Sequence, residues 1–211
     1  MKTKILRVEV MKPEVKVLKE AVKTMKNGGL VIYPTETCYG IGADATNIKS
    51  IEKIYEIKNR DTSKPIPILV SSLDMIRKYG VITKKIEFLV KKFMPGPLSI
   101  VTKRGRPISD ANHEGISFRI SSHPVAFTLV KLLKRPITTT SANISGQSSI
   151  YDIETIIGMF KNKVDMILDC GDLPRNEPST CIDTMNRDNV KIIREGPIPG
   201  GLILKELEEM N

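Results

Sequence analysis

Short apolar runs of strand length recur along this chain and alternate irregularly with amphipathic helical segments. The segment from Glu14 to Asn27 places Val15, Leu18, Ala21, Val22 and Met25 on one helical face. Elsewhere, apolar runs follow one another without a helical segment between them. This irregular alternation predicts an α/β fold, with a twisted mixed β-sheet flanked by helices in a single domain over residues 1–211.

The same patterns place the individual elements. We predict strands at Ile5–Val10, Leu30–Tyr33, Ile66–Val70, Leu98–Thr102, Ile116–Ile120, Ile137–Thr140, Met166–Asp169, Cys181–Met185 and Val190–Arg194. We predict further helices at Ile48–Ile57, Leu73–Tyr79, Thr83–Phe93, Pro124–Leu133, Ile153–Phe160 and from Leu202 onward. The glycine-bearing stretch from Pro34 to Asn47 is expected to be a loop.

Composition bounds the class of protein. The chain has 211 residues, 40% of them hydrophobic, which is enough to bury a core in one large domain. Its net charge of +9 favours anionic partners such as nucleotides, phosphates, RNA or anionic membrane surfaces. Lysine-rich, solvated helix faces explain the charge equally well, because the lysines are spread along the chain.

Cysteine usage argues against a zinc site and against a disulfide framework. Cys38, Cys170 and Cys181 form no C-x-x-C pair, and the chain offers only His113 and His123 as further ligands. The N-terminus lacks a signal-peptide hydrophobic stretch, and no apolar run has the length that spans a bilayer. We therefore expect a cytoplasmic protein with no membrane partner and no metal ligands of its own.

One glycine motif resembles a nucleotide-binding fingerprint but has the wrong context. Gly40, Gly42 and Ala45 match G-x-G-x-x-A, yet PTETCY separates the first glycine from the preceding strand. We interpret these glycines as permitting tight turns or a close approach to a ligand. No P-loop motif occurs in the sequence.

Two polar segments are candidates for anion binding. Lys58, Arg60 and Lys64 lie in one loop, where they can converge on a polyphosphate, although a solvated charged turn is the more common meaning of such a pattern. The segment from Ile137 to Gly146 runs from a β-branched strand into hydroxyl and amide side chains, an arrangement that suits anions. A capped turn is the alternative there.

Arg119 lies within a predicted buried strand, where an unpaired charge is costly. It is expected to meet either an internal carboxylate or the carboxylate of a ligand. Cys38 and His123 could form a nucleophile and its base, but a buried cysteine and a helix-start histidine are the simpler interpretation.

Together these segments resemble the YrdC-like family of threonylcarbamoyl-adenylate synthases. The matching stretches, in the family's order, are YPTETCYGIGADA (33–45), KNRDTSKPIPILV (58–70), MPGPLSIV (94–101), SFRISSHPVA (117–126), PITTTSANISG (136–146), DCGDLPRNEPSTCID (169–183) and IIREGPI (192–198). They cover nearly the whole chain, and their combination is highly specific.

The resemblance implies an enzyme that forms threonylcarbamoyl-AMP and pyrophosphate from ATP, L-threonine and bicarbonate, with Mg²⁺ entering alongside ATP. A downstream threonylcarbamoyl transferase complex then modifies the adenosine beside the anticodon of ANN-decoding tRNAs. By position in the motifs, threonine would be held by Thr35, Arg119, Thr139 and Ser179. ATP would be held by Arg60, Lys64, Ser141, Asn143, Ser149 and Arg194, with Lys58 and Arg60 as the catalytic residues.

The chain departs from the common family pattern at several positions. Asp61 replaces a proline, Lys64 an asparagine, Leu69 a threonine-contacting histidine, and Gly115 a nucleotide-contacting threonine. We also expect no additional C-terminal domain of the kind that longer members carry. Two alternatives follow. The chain could be a weakly active or non-catalytic paralogue that binds tRNA or double-stranded RNA. It could instead be a carbamoyl-transfer or dihydroxy-butanone-phosphate type enzyme, although the latter needs clustered acidic metal ligands.

Overall fold

The computed structural model describes residues 2–105, 113–186 and 189–210. Its strands are β1 (Lys4–Arg7), β2 (Val31–Pro34), β3 (Tyr39–Gly42), β4 (Ile68–Leu69), β5 (Leu98–Lys103), β6 (Gly115–Arg119), β7 (Ile137–Thr138), β8 (Thr140–Ser141), β9 (Met166–Asp169), β10 (Thr180–Asp183) and β11 (Lys191–Arg194). Its helices are α1 (Val15–Lys26), α2 (Ile48–Lys58), α3 (Leu73–Ile76), α4 (Lys84–Phe93), α5 (Pro124–Leu133), α6 (Ile153–Phe160) and α7 (Gly200–Glu209).

The strands form two sheets, whereas the sequence analysis expected one. The first sheet has the order β1-β9-β2-β3-β8, and the second has the order β11-β10-β5-β6-β4-β7. Both sheets are mixed: β2 pairs parallel with β9 and antiparallel with β3, while β5 pairs parallel with β10 and antiparallel with β6. The mixed α/β class with flanking helices is therefore confirmed, and the correction concerns how the strands are divided.

The chain passes from one sheet to the other at Thr139. The segment predicted as one strand is split, so that β7 pairs with β4 in the second sheet and β8 pairs with β3 in the first. Between them, the main-chain N–H of Thr139 donates to the carbonyl of Pro67 at 2.8 Å. This crossover brings residues of both sheets together around the hydroxyl-rich segment.

Strand β3 corrects the expectation that the stretch from Pro34 to Asn47 is a loop. Its four residues are buried and pair antiparallel with β2. A Cβ on Gly42 would lie 2.5 Å from Cε1 of Tyr33, so glycine is required here by close packing against a buried ring. Our interpretation that Gly42 serves a tight turn was therefore wrong. The low strand propensity of glycine hid this element.

Helices cover the sheets with continuous apolar faces. On α1, Leu18, Ala21, Val22 and Met25 are buried and pack with α5 and β2, as the helical periodicity predicted. Val15 is an exception, because its side chain is 53% exposed at the start of the helix. In the described part of the chain, no helix has both the length and the apolar character needed to cross a membrane.

Candidate active site

A cavity of about 240 Å³ lies between residues of the two sheets. Its wall contains Arg60, Arg119 and Arg194, which come from widely separated parts of the sequence. It also contains the predicted hydroxyl residues Thr35, Thr139, Ser141, Ser149 and Ser179. Among the residues that the structure describes, no aspartate or glutamate lines this wall. The cavity is therefore cationic and rich in hydrogen-bond donors.

Arg60 and Arg194 are held in place by main-chain carbonyl groups. Arg60 donates from Nε to the carbonyl of Lys64 at 3.1 Å and from Nη2 to that of Pro65 at 3.0 Å. Arg194 donates from Nε and Nη2 to the carbonyl of Ser179, at 3.0 and 2.8 Å. A carbonyl group orients a guanidinium without neutralising its charge, so both arginines suit a phosphate ligand.

Arg119 meets an internal carboxylate and lines the cavity at the same time. Its residue exposure is 5%, and its Nη1 lies 3.4 Å from Oε1 of Glu36 and 3.3 Å from Oγ1 of Thr37. Its Nε is buried and has no hydrogen-bond partner in the described structure. The internal carboxylate expected from the sequence is therefore Glu36, and the unpartnered Nε leaves room for a ligand carboxylate as well.

The turn between β2 and β3 is organised by Thr35. Its hydroxyl donates to the carbonyl of Cys38 at 2.7 Å and accepts the main-chain N–H groups of Thr37 and Cys38 at 3.2 and 3.3 Å. These contacts close the turn and direct Thr37 and Cys38 to the cavity wall. In the structure Thr35 shapes the site as well as lining it.

The structure places three of the predicted site residues, Lys58, Lys64 and Asn143, outside the cavity wall. Lys58 is 1% exposed, and its Nζ donates to the carbonyl oxygens of Ser141 and Asn143 and to Oδ1 of Asn143. Asn143 in turn accepts from Ser141 Oγ at 2.7 Å and donates to the carbonyl of Gln147. Lys58 and Asn143 therefore anchor the loop that carries Ser141 and Ser149, and they do so from outside the cavity wall.

Burial changes the proton affinity of two groups at this site. Burial, with a smaller contribution from the nearby Arg60 charge, lowers the pKa of Lys58 to about 8. Burial also raises the pKa of the Cys38 thiol, although Arg119 opposes the shift. Lys58 is thus largely protonated at neutral pH, while Cys38 is a neutral thiol and a poor nucleophile.

The sequence motifs did not single out several residues of the wall, including Ser99, Tyr151 and Asn176. Ser99 Oγ lies 2.8 Å from Ser179 Oγ, and a hydroxyl between apolar strand residues was the signal that could have identified it. The Tyr151 hydroxyl donates to the carbonyl of Asn176 at 3.0 Å. Cys38 had been set aside as buried, whereas it is half-buried and faces the cavity.

Metal ligation by the protein has little support in the described ranges. No group of three or more histidine, cysteine, aspartate or glutamate side chains in them could hold a metal ion. The three cysteines are free thiols, in line with the absence of a disulfide framework from the sequence pattern. The chemistry of the wall instead favours an anionic ligand bound by arginines and hydroxyl groups.

Comparison with known proteins identifies the family to which this chain is similar. A family model, Sua5/YciO/YrdC, described as "Telomere recombination", matches residues 23–196. A Methanocaldococcus jannaschii protein named "Putative threonylcarbamoyl-AMP synthase" is 38% identical over 202 residues, which cover 94% of this chain and 96% of that protein. The Pyrococcus abyssi protein named "Threonylcarbamoyl-AMP synthase" is 33% identical over 190 residues, covering 88% of this chain and 54% of that protein.

A solved structure shares the fold closely. The crystal structure of Pyrococcus abyssi Sua5 in complex with L-threonine superposes with a TM-score of 0.90 and 30% sequence identity. The match covers 97% of this chain and 61% of that one. The present chain thus spans nearly the full length of the Methanocaldococcus relative, but about half to three-fifths of the Pyrococcus protein.

Proposed function

The chain belongs to the Sua5/YciO/YrdC family, and from this premise we propose that it is an L-threonylcarbamoyl-AMP synthase. Its substrates would be ATP, L-threonine and bicarbonate. The observation that carries the proposal is the single cavity in which Arg60, Arg119 and Arg194 meet, with hydroxyl groups between them. The Pyrococcus structure with bound L-threonine supports the amino acid as a substrate.

Members of both predicted groups of ligand-binding residues line this one cavity. Arg119, Thr139 and Ser179 would receive threonine, while Arg60, Ser141, Ser149 and Arg194 would receive the nucleotide. The groups meet where Arg194 Nη2 lies 3.2 Å from Ser179 Oγ. Two substrates held side by side react with a much smaller entropic cost than two free in solution.

The proposed reaction needs no nucleophilic side chain. The threonine amine and bicarbonate form a carbamate with loss of water, and a carbamate oxygen then attacks the α-phosphorus of ATP. The bond from the α-phosphorus to the bridging oxygen breaks, and pyrophosphate leaves with its electron pair. Arg60 and Arg194 would stabilise the charge that develops on the phosphates, and Mg²⁺ would enter as part of the nucleotide substrate.

Lys58 has an indirect part in this proposal. It contacts loop oxygens rather than the cavity, so it would act by fixing Ser141 and the rest of the nucleotide loop. The product would pass to a threonylcarbamoyl transferase complex for tRNA modification. That destination rests on the family resemblance alone.

Pyrophosphate release tests the proposal. Purified chain incubated with MgATP should release pyrophosphate only when threonine and bicarbonate are both present, and mass spectrometry should detect threonylcarbamoyl-AMP. Arg60→Ala should reduce this release while leaving the circular dichroism spectrum unchanged. Pyrophosphate release that does not depend on threonine would refute the assignment.

A second candidate function, RNA binding without catalysis, is favoured by one observation. Helix α1 exposes four lysines on its outer face at spacings of three and four residues, namely Lys16, Lys19, Lys23 and Lys26. Phosphate binding by such a face would weaken steeply with added salt. A chain that bound RNA with a steep salt dependence, but bound neither ATP nor threonine, would favour this alternative.

A further inference from the structure

Glu36 is a nearly buried carboxylate beside the cavity that the proposed chemistry does not use. Its side chain is 14% exposed and that of Arg119 is 6% exposed, with 3.4 Å between Glu36 Oε1 and Arg119 Nη1. Burying two charges is expensive, and a buried ion pair often contributes little to stability compared with apolar residues of the same volume. The pair therefore calls for an explanation other than stability.

The carboxylate of Glu36 is itself held in one orientation. Its Oε2 accepts a hydrogen bond from Ser121 Oγ, and that same Oγ accepts the main-chain N–H of His123 at 3.1 Å. The main-chain carbonyl of Glu36 accepts a hydrogen bond from Asn176 Nδ2 at 3.0 Å. Glu36 is thus fixed from both sides, so it can act as a rigid support for Arg119.

Arg119 is engaged on one side only. Nη1 faces Glu36 and Thr37, whereas the buried Nε has no hydrogen-bond partner in the described structure. A buried donor without a partner is costly, and such a donor in a cavity wall is typical of a site that awaits a ligand. The Nε edge of a guanidinium has the geometry to bind a carboxylate with two parallel hydrogen bonds.

From this geometry we infer that Glu36 is a positioning residue, which holds Arg119 by Nη1 so that its Nε edge faces the carboxylate of the amino-acid substrate. The inference rests on the proposed function and adds to it a residue that selects ligands with a carboxylate at this position. Glu36 is not among the described residues that line the cavity. Its loss should therefore weaken threonine binding much more than nucleotide binding.

Direct titration with L-threonine and, separately, with MgATP tests the inference in the wild type, Glu36→Gln and Glu36→Asp. We expect Glu36→Gln to weaken threonine binding by about tenfold or more, because it removes the negative charge 3.4 Å from Arg119 Nη1. ATP affinity should change by less than about threefold. Glu36→Asp should recover part of the loss. In an Arg119→Lys background, Glu36→Gln should have little further effect, because the two residues act as a unit.

The outcomes separate this inference from the proposed function. If wild-type protein binds no threonine, the proposed function fails together with the inference. If the wild type binds threonine and Glu36→Gln binds it equally or more tightly, or loses ATP to the same extent, only the role of Glu36 is wrong. Should Glu36→Gln not fold, Ser121→Ala frees the same carboxylate, and unchanged threonine affinity in that variant would overturn the inference.

Discussion

Lys58 donates from Nζ to both oxygens of Asn143, at 2.7 Å to the main-chain carbonyl and 2.9 Å to Oδ1. The two residues lie 85 positions apart in the sequence, and this contact joins the end of α2 to the loop that follows β8. A third hydrogen bond, to the carbonyl of Ser141, completes the set. The loop that would receive the nucleotide is therefore held by one buried ammonium group.

Removal of that ammonium group should weaken nucleotide binding selectively. Lys58→Met leaves several loop oxygens without their donor, so we expect ATP affinity to fall by about tenfold or more while threonine affinity changes little. Lys53→Met is a matched control, since Lys53 lies on the same helix and its Nζ donates to the carbonyl of Gly28, away from the nucleotide loop. Titration with MgATP measures both variants, and equal losses in the two would contradict this role for Lys58.

The pH dependence of ATP binding should report the same group. Burial lowers the pKa of Lys58 to about 8, so its proton, and one of its hydrogen bonds, is lost as the pH rises through that value. We expect ATP affinity to decline above about pH 8 in the wild type and not in Lys58→Met. A wild-type profile that stays flat from pH 7 to about pH 9 would contradict the expectation.

Loss of the Lys58 proton should raise the free energy of unfolding, whereas it should lower the affinity for ATP. The unfolded chain keeps the Lys58 proton up to its ordinary pKa of 10.5, whereas the folded chain releases it near pH 8. The unfolded state therefore binds more protons between these values, and this group makes the free energy of unfolding rise with pH. Urea unfolding of the wild type and Lys58→Met across this window measures the contribution. If the free energy of unfolding rose less steeply with pH in the wild type than in Lys58→Met, the predicted sign would be wrong.

Cys38 provides a chemical probe of the cavity. In a Cys170→Ser, Cys181→Ser background, iodoacetamide should react slowly at neutral pH, because burial raises the pKa of the Cys38 thiol. The rate should increase as the pH rises, and MgATP with threonine should slow it, since Cys38 lines the same cavity. Mass spectrometry follows the alkylation. Labelling that is fast at neutral pH and indifferent to both ligands would argue against this placement.

The packing of Gly42 against Tyr33 predicts a large effect of a single methyl group. Gly42→Ala would place a Cβ 2.5 Å from Cε1 of the buried Tyr33 ring, so we expect a loss of about 1–3 kcal/mol in the free energy of unfolding. Gly158→Ala is the control, because it lies in α6 with nothing within 4 Å of its Cβ position. It should stabilise the chain by about 0.5–1 kcal/mol. Denaturant unfolding of both variants measures these changes in the free energy of unfolding.

Much of the fold could be predicted from sequence where the periodicity was strong. The bounds of α5, α6 and β9 agree with the prediction, because each has a continuous apolar face or run with clear end signals. Strand β3 could not be predicted, since Gly42 is required by its close contact with the buried Tyr33 ring and has a low strand propensity. The division into two sheets depends on the crossover at Thr139, which no local pattern encodes.

For the candidate site, most of the residues that the motifs singled out line the cavity, and the exceptions could not be recognised from the sequence. Arg60, Arg119 and Arg194 do share one cavity, whereas Lys58 and Asn143 lie behind its wall. A motif carries residue types at fixed spacings, but whether a lysine faces a ligand or a carbonyl depends on contacts between distant segments. The contact between Arg119 and Glu36 likewise joins distant segments, and it became apparent only from the structure.

In the proposed function, one cationic cavity binds two different ligands through different arginines. Isothermal titration of the wild type, Arg60→Ala and Arg119→Lys with MgATP and with L-threonine tests this most directly. We predict that Arg60→Ala weakens ATP binding by about tenfold or more and threonine binding little, and that Arg119→Lys does the reverse. Equal effects of each variant on both ligands, with the fold intact, would contradict the account.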